Sequence, residues 1–291
     1  MPTFAPRNVT AFRAPLFYEH VRRSVLDWIK EGFAAITDGA PAANTPLLPV
    51  KDERYPQGWP TGSRVWESRR SQWAWESGGG AAAFTPTTGG LPATGAKVCP
   101  DRGRLLFPAP IPAEAAVLCP RRERMVHGYL FSEPWVGKLD VLSMWTGGDA
   151  RPSGAGDMAV LNQHRVQMPC VVVQEAGGVR GNPYEVGGPT HHVWCDLALH
   201  CLAESPTDRT WLHDALAGQM GTVIPTFDAG LEGPPFDADG GLLPGAKSFQ
   251  GRCASTPWRS LTVESVRSGE FGASGSLHWA TVIWTLYVGV H

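Results

Sequence analysis

The residues best equipped for chemistry lie between His191 and Cys201. His191, His192, Cys195 and His200 bring three imidazoles and a thiol into one short stretch, a zinc-type donor set on paper. The same stretch alternates as a strand does, with Val193, Cys195, Leu197, Leu199 and Cys201 on one face. His192 and His200 then share the opposite face from Cys195, so the donors do not converge. Gly272-Ala273-Ser274-Gly275-Ser276 sets a serine among glycines, but the glycine after the serine comes one place too early for a nucleophile elbow. No glycine run carries the Gly-Lys-Ser/Thr ending that cradles a nucleotide phosphate. Glu232, Asp237 and Asp239 sit near glycines, without the regular spacing and closing bidentate glutamate of a calcium loop, and read as a solvated loop. The six cysteines, Cys99, Cys119, Cys170, Cys195, Cys201 and Cys253, show no CxxC spacing. Cys170, Cys195 and Cys201 lie among apolar neighbours, as buried free thiols do. No catalytic set emerges, and no cofactor or metal is expected. The chain reads as a binding or building component, not an enzyme.

The elements around the histidine strand make a compact unit. Pro169-Cys170-Val171-Val172-Val173 is a short apolar strand leading into Gln174 and Glu175. A glycine-laden turn region from Gly177-Gly178 to Gly187-Gly188 joins it to the strand His192–Leu202, giving a long-looped hairpin. Ser205-Pro206-Thr207-Asp208 starts a helix: serine caps free amides, proline is preset for the first turn, and aspartate meets the positive end of the dipole. Leu212, Ala215, Leu216 and Met220 form the stripe by which that helix lies on the sheet. An opening helix from Leu16 to about Ile36 carries the stripe Phe17, Val21, Val25, Trp28, Ile29, Phe33 and Ile36. Thr222–Asp228 is a short strand, and Leu261–Val266 and Leu277 to about Val288 close the chain. Ser268-Gly269-Glu270-Phe271-Gly272 and Ser274-Gly275 are expected to turn between them.

Composition bounds the rest. The formal charge of −2 does not mark the chain as a nucleic-acid or acidic-surface binder. The 34 glycines and 26 prolines indicate much irregular chain held against a smaller regular core. Met1-Pro2-Thr3-Phe4 lacks a basic start and an apolar run, and no apolar stretch reaches the roughly 20 residues that span a membrane. Folding in a cytoplasm is expected. Residues 51–165 are read as a loop-rich, partly β insertion between a first piece, 1–50, and the remainder of the core, 166–291. Trp66, Trp73 and Trp75 stand among Arg64, Arg69 and Arg70, with Glu67 and Glu76 interspersed. Such interleaving can stack single-stranded nucleic acid or dock a neighbouring subunit; the subunit patch is favoured.

The order of elements is helix, extended segment, strand, glycine hairpin, strand, capped helix, strand, strand. It resembles the tail terminator, or tail completion, proteins of long-tailed bacteriophages. The resemblance rests on Phe17–Ile29, Pro49-Val50, Val171–Glu175, Trp194–Ala203, the Ser205–Asp208 helix start, Leu261–Ser265 and Trp279–Trp284. No single motif carries it, and residues 51–165 have no counterpart in the pattern. The resemblance implies an α+β fold, a mostly antiparallel sheet packed by two helices. It implies a homo-oligomeric ring, commonly a hexamer, in the neck of a virion assembled in host cytoplasm. Such a ring caps the tail tube protein and meets the head connector or stopper, while genomic DNA passes through without specific binding. Gly177, Gly178, Arg180 and Tyr184 of the hairpin, with Trp66 and Trp73, are the expected interface residues. Another neck component (stopper or adaptor), a hydrolase using the histidine cluster and a carbohydrate-binding module using the tryptophans are the alternatives.

Overall fold

The computed structural model describes residues 17–36, 46–52, 54–55, 58–59, 61–68, 72–75, 85–132, 168–177, 180–183, 191–254, 260–274 and 277–290. They form an α+β protein, mostly antiparallel sheet. The opening helix α1 spans Phe17–Ile36. Its expected stripe is buried at Val21, Val25, Ile29 and Phe33, with Leu26 joining it and Trp28 half-buried against the same core.

The strands follow in chain order: β1 Leu48–Val50, β2 Gly62–Glu67, β3 Trp73–Ala74, β4 Thr87–Thr88, β5 Leu91–Pro92, β6 Lys97–Cys99, β7 Arg104–Pro112, β8 Val117–Leu118, β9 Arg122–Glu123 and β10 His127–Leu130. Beyond them come β11 Cys170–Glu175, β12 Arg180–Pro183 and β13 His191–Ala203. Helix α2 spans Pro206–Ala217, and β14 covers Val223–Pro225. Short helices α3, Ala229–Glu232, and α4, Phe249–Ala254, precede the long strands β15, Ser260–Ser274, and β16, Leu277–Val290.

The main sheet has the order β10-β11-β13-β16-β15-β14, with β12 also paired to β13. All its pairings are antiparallel except β10 with β11. Alternation along β13 sends Cys195, Leu197, Leu199 and Cys201 into the core beneath α1 and α2, as expected. Helix α2 starts where the sequence predicts: Ser205 Oγ accepts from the Asp208 amide at 3.1 Å. Leu212 and Leu216 are buried, and the indole of Trp284 donates to the Leu216 carbonyl at 3.0 Å. Met220 departs from the expected stripe. It lies past the helix end and is 70% exposed.

A second group of strands, β1-β2-β7-β6, forms a separate four-stranded sheet, flanked by the small pairings β3-β9 and β5-β4-β8. Its core gathers Leu47, Trp66, Trp73, Leu105, Phe107, Val117 and Cys119. Two boundaries of the expected 1–50, 51–165 and 166–291 division shift here. Leu48–Val50 pairs with β2 and so belongs to this second sheet. At the other end β10 leaves it and joins the main sheet beside β11. Gly128 lies close under α1 at that junction: a Cβ there would sit 2.8 Å from Leu26 Cδ1 and require that side chain to shift.

The segment Ser268–Gly272, expected as a turn, is strand. β15 runs through it to Ser274, absorbing an extra residue between Val263 and Ser265 and another between Ser268 and Phe271. Gly272 is cross-strand partner to Trp279, and a Cβ there would collide with the indole ring. The glycine accommodates the tryptophan rather than turning the chain.

Candidate assembly interface

The hairpin of β11, β12 and β13 is longer than the sequence suggests. β11 pairs with β13 from Cys170↔Leu202 to Glu175↔Leu197, and β12 resumes on the same side at Arg180↔Trp194. Gly177 lies exposed in the interruption, with room for a Cβ 3.7 Å from the nearest carboxylate oxygen of Asp196. Arg180 is the first residue of β12. Gly178, Tyr184 and the tip that joins β12 to β13 lie outside the described residues, as do the apolar positions Val136, Leu139, Val141, Leu142, Met144 and Trp145 of the middle region.

Trp66 and Trp73 are not surface residues. Each is 1% exposed, in the core of the second sheet. Their indole N–H groups are satisfied locally, Trp66 by the Ser63 carbonyl at 3.1 Å and Trp73 by Ser68 Oγ at 2.8 Å, so burial leaves no orphan donor. A basic residue beside them is buried as well. Arg121 stacks on Trp73 with 5.5 Å between guanidinium carbon and ring centroid, while its side chain pairs with Glu123 at 2.6 Å. Trp66 and Trp73 build a core, which corrects their expected docking role; Arg69, Arg70 and Glu76 of the expected patch lie outside the described residues.

The histidines do not assemble. His200 is buried, its ring nitrogens 2.7 Å from Gln174 Oε1 and 3.0 Å from Thr281 Oγ1. Burial pushes its pKa down to about 4, so it is neutral near pH 7. His192 lies eight positions away on the same extended strand, roughly 26 Å at the rise of a β-strand. Burial likewise pushes the thiols of Cys195 and Cys201 up to about 12, as unreactive thiols within the core.

The acidic loop after α3 clamps the second sheet. Asp237 Oδ1 accepts from the amides of Asp239 and Gly241 at 2.9 and 3.0 Å, which fixes the turn. Lys97 Nζ reaches both Asp237 and Asp239 at 2.8 Å. Burial works against the charge on Lys97, but the two carboxylates outweigh it and hold its pKa above the usual lysine value. A lysine ammonium thus occupies the place that the sequence hint of a calcium loop would give to a metal.

A second polar seam runs beneath α1. Arg252 pairs with Asp27 at 2.6 Å, Lys30 approaches Asp101 at 3.8 Å, and the buried Arg124 donates to the Lys30 carbonyl. Burial lowers the pKa of Arg124, an effect opposed by Glu31, Asp27 and Asp101. Burial raises that of Glu31, which faces Arg124, Asp27 and Arg252. The cavity there is small, about 30 Å³, room for a few waters.

What the structure does offer is backbone. β14 pairs with β15 only at Ser260, Leu261 and Thr262, and a further contact joins Val263 to Thr222. Among the described residues no strand pairs with the outer edge of β15 from Glu264 to Ser274. On the other flank, none pairs with the outer edge of β12. The open part of β15 carries Phe271, 49% exposed, its ring centroid 4.5 Å from that of His213. The Arg209 guanidinium carbon lies 5.1 Å from the same ring. Sequence reasoning missed this site because Gly269 and Gly272 read as turn residues. The usable signal was Trp279, whose size requires a bare cross-strand partner.

Compared with known proteins, the chain matches no family model, and no curated protein matches it.

Proposed function

We propose that this chain is a structural, ring-forming component of the neck of a tailed bacteriophage, of the tail terminator kind. In that role it caps the tail tube and joins it to the head connector. The observation that carries the reading is the outer edge of β15 from Glu264 to Ser274, with which no strand among the described residues pairs. A monomer gains nothing from such an edge, which invites association with other chains; an assembly uses it. An amphipathic α1 and a capped α2 that both pack on one face of a mostly antiparallel sheet with a long hairpin support the reading, while the extended segment Pro49-Val50 of the expected order lies in the second sheet. The formal charge of −2 suits a lumen that lets DNA slide, since tight phosphate binding demands clustered positive charge.

An antibody raised against the purified chain tests the assignment on particles of the phage whose genome encodes it. Label at the head–tail junction is the expected result. Particles that lack the chain, or that carry label only on the capsid or fibre tips, contradict it. Within the neck, a stopper or adaptor role differs only in the neighbours contacted, and cross-linking to the tube protein separates the two.

A further inference from the structure

Among the described residues, besides the outer edges of the end strands β10 and β14, two stretches of the main sheet are open, the outer edge of β12 and that of β15 beyond Val263, and they lie on opposite flanks in the order β12-β13-β16-β15. A strand edge has two obvious occupants from the same chain: the same edge of a second copy, or a different edge. Self-pairing of β15 would leave β12 unpaired and would run a ladder across the irregularity between Ser268 and Phe271. Beyond that irregularity, Phe271–Ser274 pairs with β16 in unbroken register over four residues. β12 is also four residues long. The distal stretch of β15 also holds the exposed aromatic ring with an arginine and a histidine packed on it, the residue types that anchor interfaces. Arg209 Nε in this cluster is buried without a hydrogen-bond partner, a donor that a docking chain can satisfy.

We infer that Phe271–Ser274 at the open edge of β15 receives the β12 edge of a second copy of this chain. This deepens the ring proposal and rests on it. The contact is head-to-tail, because each copy gives β12 on one flank and receives on the other; repeated with a closing rotation it makes a ring. Main-chain hydrogen bonds supply the pairing, and Phe271 with Arg209 and His213 supplies the side-chain anchor.

Cysteine cross-linking of the full chain tests it. Ala273→Cys is combined in turn with Arg180→Cys, Gly181→Cys and Asn182→Cys, and the proteins are oxidised. Within one chain these positions are three strand spacings apart across the sheet and, by the register through β13 and β16, nine or more residues apart along it, roughly 30 Å or more in all, beyond the reach of a disulfide. Any cross-link between them is therefore between copies. At least one pair should give a covalent ladder that single variants do not give. Separately, Phe271→Asp should raise the concentration for half-assembly at least tenfold, with an unchanged far-UV circular dichroism spectrum. A ring that forms while no pair cross-links, a covalent dimer from Ala273→Cys alone, or unaltered assembly of Phe271→Asp overturns the inference and leaves the ring standing. A chain that stays monomeric at every concentration removes both.

Discussion

In the main sheet, β13, β15 and β16 run for 13, 15 and 14 residues, and the helix-facing side chains of neighbouring strands form one apolar core. In the second sheet and the small pairings that flank it, most strands have two or three residues, and charged side chains stand inside the fold. Arg104 is buried between Glu67 and Asp52, the latter at 3.3 Å. Arg121 is buried against Trp73, and the clamp of Lys97 closes the outside. The first region is held by area removed from water, worth about 1.5–3 kcal/mol for each fully buried large apolar side chain. The second depends on pairs that are near break-even when intact and costly when one member is lost. A region built the first way tolerates exchange of one apolar side chain for another; a region built the second way depends on complete sets of partners.

The largest expected effect is in the main core. Trp284 is fully buried, meets Trp28 edge-on at 6.1 Å and caps Leu216, so Trp284→Ala should cost about 3–5 kcal/mol. Urea titration read by far-UV circular dichroism measures it; a loss below about 1 kcal/mol would show that the sheet and α2 do not share this core.

This difference between the regions also explains what was legible in the sequence. α1, β13 and α2 declare themselves because a helical stripe, a two-residue alternation and a serine cap are local patterns that the buried faces then use. The partnership of β10 with β11 is not local: it joins His127 to Cys170 across a long stretch of chain, and no periodicity encodes it. Trp66 and Trp73 looked like a surface patch because arginines surround them in sequence. Near neighbours in sequence, Ser63 and Ser68, satisfy their indoles, but the cover over Trp73 comes from Arg121, a distant residue that only folding brings there. The continuation of β15 through Gly269 and Gly272 was hidden for the same reason, its cause being the bulk of Thr281 and Trp279 on the facing strand. The hairpin was found from its glycines, while the open edge of β15 was not.

Removing one member of a buried ion set sharpens the contrast. Arg104→Ala should cost roughly 3 kcal/mol, by leaving Glu67 buried beside an empty place. The loss should fall on the second sheet: amide exchange should speed up in β2 and β7 while β13 and β16 keep their protection. Equal loss in both regions would make the comparison wrong.

In a pH titration, the contribution of His200 reports on the main sheet. His200 has a folded-state pKa of about 4 against an ordinary value of 6.5, because burial disfavours its charged form. The folded state therefore binds this proton less readily than the unfolded chain. The stability is fully present above pH 6.5 and is lost as pH falls from 6.5 through 4, by a few kcal/mol in order of magnitude. His200→Gln should flatten this part of the melting-temperature profile. An unchanged slope would assign the acid sensitivity elsewhere.

The smallest effect tests a local device. Ser205→Ala removes the cap of α2 and should cost about 1 kcal/mol, within the main unit only. A cost near zero by urea titration would mean that packing on Trp284 holds the helix start without its cap.

The central claim is that the open edge of β15 exists to be paired in a closed assembly. Sedimentation velocity of the purified full chain, from sub-micromolar to hundreds of micromolar, tests it most directly. One discrete species of fixed copy number, a hexamer by the resemblance, is expected to grow in with concentration and then stop. A single monomer boundary across the whole range, or open-ended growth without a limiting size, would contradict it.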